Sequence, residues 1–490
     1  MPLPSLVIGL DLGTTLCKAC AYDRIGKALA REDRTITTYR PQPGWNEQDP
    51  LEWREAVFQV LKGVAEQLGP RSKEVGAISV SAHGPSLVLT DSNLHPLMRA
   101  PIWQDLRSSA QARYLINHVD AGWIGLGTPE TGLPAKLAWA KENQPDLVDS
   151  AMYVLGTKAY LIGILTGRIV DEPSSCSHQG AWSWPVFDYL GVGEGRLAEI
   201  APSDSIAGVL RPALSRSFSL PLDTQVILGL NDGAAACLGA GLLHPGQGIV
   251  SLSTNAVARS VVSAPLPTST LLDRSLFSYP YIQGKSIAGG FTKAGGDSAR
   301  WFSEVLHGRS VSTEEIQQEF GNIVSPAGAR GVLFLPFLAG RGTPNSNEDM
   351  RGAFIGLSRH HTQQDLARAI FEGVAFTLKD IHQVFDTLGL EWSDVRLTGG
   401  GGNNLLWRQI LADVLNRTLI RMEADSLLGT AIVGFVTLGL HSNYEDAIAT
   451  MVIPGERITP NADNAELYTR LYARFQKTLA TLEILSMEGT

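Results

Sequence analysis

Residues 8–23 read IGLDLGTTLCKACAYD: an apolar strand, a turn of small hydroxyl residues, then a second apolar strand. After the turn-rich break LHPGQG (243–248), GIVSLSTNAVARSVVS (248–263) repeats that pattern. VRLTGGGGNNLLWRQILADVLN (395–416), a strand running into a glycine loop and a helix, echoes VGAISVSAHG, the strand around Ile78. A unit recurring half a chain apart suggests two halves built on one plan. Identity between the halves is slight, so the recurrence suggests duplication on pattern alone. At 490 residues the chain is also too long for one ordinary core. A duplicated mixed α/β pair places a cleft between its halves, where ligands bind.

The opening strands, the DRIGK turn and the extended run through TITTYRP predict a β-meander rather than a βαβ start. PLEWREAVFQVLKGVAEQL (50–68) has helical apolar spacing, with Pro50 as its opener. TQVILGLNDGAAACLGAG predicts a strand, a polar loop and a small-residue helix. The formal charge of -9 argues against nucleic acid or an anionic membrane as the main partner, though not against a nucleotide. Cys17 and Cys20 stand three apart on a strand, so their side chains point to opposite faces and cannot chelate. With only Cys176 and Cys237 besides, the thiols are expected to be structural and the compartment reducing. MPLPSL carries no basic leader region, and the apolar run 226–243 holds Asp232, a poor spanning helix. A cytoplasmic protein is expected.

The phosphate-binding patterns of other classes are missing: no GxxxxGK[ST] loop, no GxGxxG after the first strand, no HRD and DFG pair. The Asp-Leu-Gly-Thr-Thr turn offers a different chemistry. Gly13 lets backbone N–H groups approach phosphate oxygens, Thr14 and Thr15 add hydroxyls, and Lys18 adds charge. Asp11 would repel phosphate unless Mg²⁺ lies between them, directly or through water. Alone, such a turn serves an ordinary hairpin equally well.

The opening stretch resembles the first phosphate segment of the FGGY carbohydrate kinases, within the actin-like ATPase fold. PGWNEQDP (43–50) is similar to the segment preceding that family's first helix. TGLPAKLAWAKEN (131–143), with Lys136 and Trp139, fits its first signature, and GAFIGLSRHHTQQDLARAIFE (352–372) fits its second. The resemblance implies an α/β chain of two actin-like ATPase (ribonuclease H-like) domains with a cleft between them. Residues 1–245 would bind the sugar and carry the first phosphate loop; residues 246–490 would bind the nucleotide.

The same resemblance implies the site. Asp232 stands where the family places its catalytic aspartate; on the residues alone it reads as a helix N-cap. Ser253, Thr254 and Asn255 resemble the second phosphate turn. AGGDSARWF (294–302), with Gly295 and Gly296, and GGGGNN (399–404), with Gly400, Gly401 and Asn404, resemble the segments around adenosine. Sugar contacts are expected from His83, Gly84, Trp103, Asp105 and Asn231, residue types that suit a polyol.

Some positions depart from the family. Aligned with the Ser-Gly-Gln-Met-His-Gly run of D-xylulokinases, the methionine and histidine fall on Gly84 and Pro85, and His83 takes the glutamine's place. Asn231-Asp232-Gly233 is similar to the Ser-Asp-Gly of gluconokinase-like members, and Arg341-Gly342 replaces a frequent Glu-Arg. The expected activity is an ATP- and Mg²⁺-dependent sugar kinase, with D-xylulose leading and gluconate, ribulose, L-xylulose or a polyol such as erythritol open. An actin-like ATPase or a sugar sensor without catalysis is the rival class. A homodimer is common among similar proteins.

Overall fold

The computed structural model describes residues 5–423 and 425–487; residues 1–4, where the reading of MPLPSL begins, lie outside these. In the first half, strands β1 (Leu6–Leu12), β2 (Leu16–Tyr22), β3 (Ala28–Thr35), β4 (Val75–Ala82), β5 (Ile206–Val209) and β6 (Gln225–Ile227) form a sheet in the order β5-β6-β4-β1-β2-β3. β1, β2 and β3 run antiparallel, the expected meander, with Asp11 opposite Lys18. β4 and β6 then add in parallel beside β1. β1 is buried along its whole length, which is why it reads LVIGLDL rather than alternating.

The second sheet is built from β7 (Gln247–Leu252), β8 (Ala256–Val262), β9 (Phe277–Pro280), β10 (Ser286–Thr292), β11 (Asp394–Thr398), β12 (Leu419–Arg421) and β13 (Arg457–Ile458). Its order is β9-β10-β8-β7-β11-β12-β13. β7, β8 and β10 repeat the antiparallel meander of β1–β3, and β11 and β12 repeat the parallel additions of β4 and β6. The recurrence seen in sequence is therefore a recurrence of topology.

Helix α1 (Pro50–Leu68) opens as expected: Asp49 accepts from the Leu51 N–H, and Pro50 needs no donor at the first position. Its buried stripe, from Trp53 through Val57, Leu61, Val64 and Leu68, packs on β2 and β3. Helices α2 (Leu133–Asn143) and α3 (Thr157–Thr166) also lie in this half, α3 packed on β4 and β6. α4 (Asp232–Gly239), α5 (Gly296–His307), α6 (Gln363–Thr387), α7 (Leu405–Leu415) and α8 (Ser426–Thr437) follow.

α4 and α8 join the halves. A methyl on Gly429 of α8 would overlap the Ala235 carbonyl, and one on Gly239 of α4 would overlap that of Asp425. Gly9 on β1 likewise faces the Leu427 carbonyl. Only glycine lets these backbones touch, so α8, a second-half helix, lies directly on β1 and α4 of the first. One apolar cluster accordingly runs from Val7, Ile227 and Ala235 to Ile249, Leu427 and Ile432. Cys17, Cys20 and Cys237 are buried and all four cysteines are free thiols. Among the described residues no helix is long and apolar enough to cross a membrane.

Candidate active site

Asp11 sits near the carboxyl end of β1 and is buried. Its Oδ2 accepts from the Ser426 hydroxyl at 2.6 Å and pairs with Lys18 Nζ at 3.2 Å. Its Oδ1 is buried and, among the described residues, has no partner. The hairpin beyond it closes through the Gly13 N–H on the Leu16 carbonyl, 3.0 Å away. Thr14 Oγ1 accepts from Trp103 Nε1 at 2.8 Å, and the Thr14 carbonyl accepts from Gln48 Nε2 at 2.7 Å. Thr15 is exposed at the tip. Trp103, expected on the sugar side, thus braces the phosphate-turn candidate.

Next to β1, the end of β4 meets the start of α4: Ala82 forms a parallel bridge with Asn231. The N-cap of α4 is Asn231, not Asp232. Asn231 Oδ1 accepts from the Ala234 N–H at 2.9 Å, and its Nδ2 donates to the Ser174 carbonyl at 3.0 Å. Its own N–H donates to Ser174 Oγ at 3.0 Å, and that hydroxyl is held by Glu172, itself paired with Lys158 in the interior. With the cap supplied, the half-buried Asp232 carboxylate is free of that duty and accepts only from the Gly233 N–H, at 2.6 Å.

Burial, and then the negative charge of Asp11, push Asp232 up to about 6, against the pull of Arg259, the Gly233 N–H and Lys18. Arg259 comes from β8 of the other half, where its Nε donates to Tyr279 Oη at 3.1 Å. A methyl on Gly233 would stand 2.6 Å from that phenol oxygen, so the start of α4 lies against this pair. The arrangement is a carboxylate poised near neutrality beside a second carboxylate with one bare oxygen. That is the chemistry of proton removal next to a cation.

His83 follows β4, its N–H donating to the Leu12 carbonyl at 2.8 Å. The ring is buried edge-on to Trp53, and among the described residues neither ring nitrogen has a partner. Burial pushes it down to about 4, so it is neutral, with one donor and one acceptor free. Gly84 joins Pro85 through a cis peptide, and the Pro85 carbonyl accepts from Lys136 Nζ at 3.4 Å. Lys136 also donates to the Thr131 carbonyl, and its burial pushes it down to about 7.

Asp105 is wholly buried. It accepts from the Arg107 N–H, Nε and Nη2 and from the Asn46 N–H, at 2.6–3.1 Å. Arg107 also reaches Glu47 at 2.8 Å and lies over the rings of Trp45 and Trp139, 3.7 and 4.9 Å from their centroids. Two segments singled out in the sequence, 43–50 and 131–143, therefore meet the expected sugar residue Asp105 at one guanidinium.

In the second half, three loops converge on the end of β7. The Gly296 N–H donates to the Ser253 carbonyl at 2.8 Å, and the Asp297 N–H to that of Thr254 at 3.1 Å. A methyl on Gly295 would stand 2.6 Å from the Thr254 carbonyl oxygen. A methyl on Gly401 would stand 2.9 Å from Leu252 Cβ, while Gly400 faces open space. Ser253, Thr254 and Asn255 are exposed at the turn. Asn404 caps α7, accepting from the Trp407 N–H at 2.9 Å and donating to the Phe320 carbonyl at 3.1 Å.

Two residues of this site escaped the sequence reading. Arg259 left a signal, a lone cation in the apolar strand AVARSVV. Ser426 left none, since no spacing relates it to Asp11.

The N-terminal domain model of the FGGY family of carbohydrate kinases matches residues 6–239, and the C-terminal domain model of the same family matches 261–438. The chain is 30% identical to a xylulose kinase of Staphylococcus epidermidis over 483 residues, covering 96% of each chain. It is 25% identical to a gluconokinase of Bacillus licheniformis, covering 98% of this chain and 97% of that one. The fold matches a crystal structure of ligand-bound xylulose kinase from Lactobacillus acidophilus with a TM-score of 0.89 at 23% identity, over 99% of this chain and 100% of that one. With paired carboxylates at the junction of two like domains and both family models matched in order, the chain belongs to the FGGY family of carbohydrate kinases, enzymes that phosphorylate sugars from ATP.

Proposed function

We propose that this kinase transfers the γ-phosphate of ATP to a hydroxyl of a small open-chain sugar, D-xylulose first, with Asp232 as general base. The observation that carries the reading is the Asp232 carboxylate: half-buried, relieved of capping by Asn231, and raised to about 6 beside Asp11. The deprotonated carboxylate accepts the proton of the sugar hydroxyl as its oxygen attacks the γ-phosphorus in line. Neutral His83, with both ring nitrogens bare, can donate to one sugar hydroxyl and accept from another. The loops at Gly13–Thr15 and Ser253–Thr254 lie at the ends of equivalent strands, so the phosphate chain would lie between them with adenosine against Gly295, Gly296, Gly400 and Gly401.

Asp105, Asn231 and Asn404, expected from sequence as ligand contacts, are assigned framing roles, because protein groups already occupy their hydrogen-bonding atoms. Trp103 likewise acts by holding Thr14. Mg²⁺ fits at Asp11, whose Oδ1 is ionisable, buried and unpartnered. Bound there, it would neutralise phosphate charge. Among the described residues no group of three or more such side chains could hold an ion alone, so water and phosphate oxygens would complete its shell.

Xylulose leads because the Staphylococcus epidermidis relative is matched over 96% of each chain at 30% identity. Gluconate is the second reading, favoured by Asn231-Asp232-Gly233 and the Bacillus licheniformis relative. We divide the domains at 245/246 and place the enzyme in the cytoplasm, with a homodimer as its expected state. ADP release over a panel of pentuloses, polyols and gluconate, with wild type and Asp232→Asn, tests the reading. Sugar-stimulated release that Asp232→Asn abolishes is expected. Strong turnover by that variant would remove the base assignment. Release without sugar would point to an ATPase, and no release at all to a sensor.

A further inference from the structure

Taking Asp11 as the cation-side carboxylate, we propose that Ser426 is a positioning residue that presents Oδ1 of Asp11, and not Oδ2, to the cation. Ser426 opens α8 in the second half, 415 positions from Asp11, yet its Oγ lies 2.6 Å from Asp11 Oδ2 with both side chains buried. Lys18 Nζ reaches the same oxygen at 3.2 Å. Both donors thus fall on one oxygen and none on the other. An ionised carboxylate has two equivalent oxygens, and without such partners it can rotate to offer either or both. Two donors on Oδ2 fill its lone pairs and partly cancel its charge, so an arriving cation meets Oδ1 in a set direction.

The hydroxyl is held in register from several sides. The Asp425 carboxylate caps α8 by accepting from the N–H groups of Leu427 and Leu428, and it also pairs with Arg31 of β3 at 3.3 Å. Gly9 and Gly429 clamp the first turns of α8 against β1 and α4. Lys18 is fixed independently by the strand register, directly across from Asp11. Of the two donors on Oδ2, Ser426 is the one that comes from the nucleotide-side half. The second half therefore shapes the cation site from behind the carboxylate, without touching the cation.

Mn²⁺ binding in the presence of ADP, followed by electron paramagnetic resonance, tests this on the full-length protein with Ser426→Ala, Ser426→Gly, Ser426→Thr and Asp11→Asn. Loss of a group that orients a metal ligand lowers metal affinity about 10-fold or more. Ser426→Ala and Ser426→Gly should both weaken Mn²⁺ binding by about that factor and raise the Mn²⁺ needed for half-maximal turnover in step, with the sugar KM unchanged. Ser426→Thr, which keeps the hydroxyl, should bind within about twofold of wild type. Wild-type Mn²⁺ affinity in Ser426→Ala or Ser426→Gly overturns the proposal, as does equal loss in the alanine and threonine variants. If Asp11→Asn binds Mn²⁺ as wild type does, the underlying assignment of Asp11 is what fails.

Discussion

The carbonyl oxygen of Ala235 occupies the space that a side chain on Gly429 would need, and this contact sets how closely α4 approaches α8. Through it the helix that begins with Asp232 and the helix that begins with Ser426 are held as one unit across the two halves.

Gly429→Ala should therefore cost about 2–3 kcal/mol, as overpacking does where backbone cannot move aside. It should also lower kcat, since α8 carries the hydroxyl on Asp11. Ala235→Gly will not rescue it, because the clash is with a carbonyl rather than a methyl. Urea midpoints and turnover of the single and double variants check this; full rescue would show that the contact is not the limiting one.

Asp232 predicts a pH dependence. As the base it works deprotonated, so kcat/KM should hold above about 6 and fall tenfold per unit as pH drops below it. Stability runs the other way. A carboxylate raised from its ordinary 3.8 destabilises the fold when charged, so stability should rise as pH falls from about 6 towards 4. At pH 8, Asp232→Asn should stabilise by about 1–2 kcal/mol, given the partial exposure of the carboxylate, while losing catalysis. Melting curves and pH–rate profiles of both proteins measure the two effects.

Arg107 is held by two carboxylates and two indoles. Arg107→Met leaves Asp105 charged and buried without its partner, a loss of about 3–5 kcal/mol. Arg107→Lys should recover little of it, because an ammonium cannot make the forked contact or lie flat on Trp45. Denaturant titration distinguishes this from a surface pair, whose loss would cost about 0–1 kcal/mol.

On the role proposed for its bare nitrogens as sugar contacts, close enough to feel the charge of Asp11, His83→Ala should raise the sugar KM about 10-fold or more and leave the ATP KM unchanged. Since burial holds the ring neutral down to about 4, it should add no inflection to the rate profile between pH 5 and 8. An equal effect on the ATP KM would move His83 out of the sugar site.

The meander and the opening helix were legible because each depends on near neighbours in the chain. An apolar strand beside a Gly-Thr-Thr turn, or Asp49-Pro50 before a helical stripe, carries its structure in a few residues. Even the recurrence of topology was visible, since both halves repeat strand, turn and strand.

What only the tertiary structure decided is which polar atoms are still free. Asp105, Asn231 and Asn404 look like ligand contacts by type, but the fold spends them on Arg107, Ser174 and Phe320. Asp232 reads as a cap until Asn231 takes that place. Asp11 keeps a bare Oδ1 while Lys18 and a serine 415 residues away both fall on its other oxygen. Hydrogen-bonding capacity is written in the side chains themselves. Its allocation follows from how closely backbones pack, and that closeness rests on glycines whose partners lie far off in the chain.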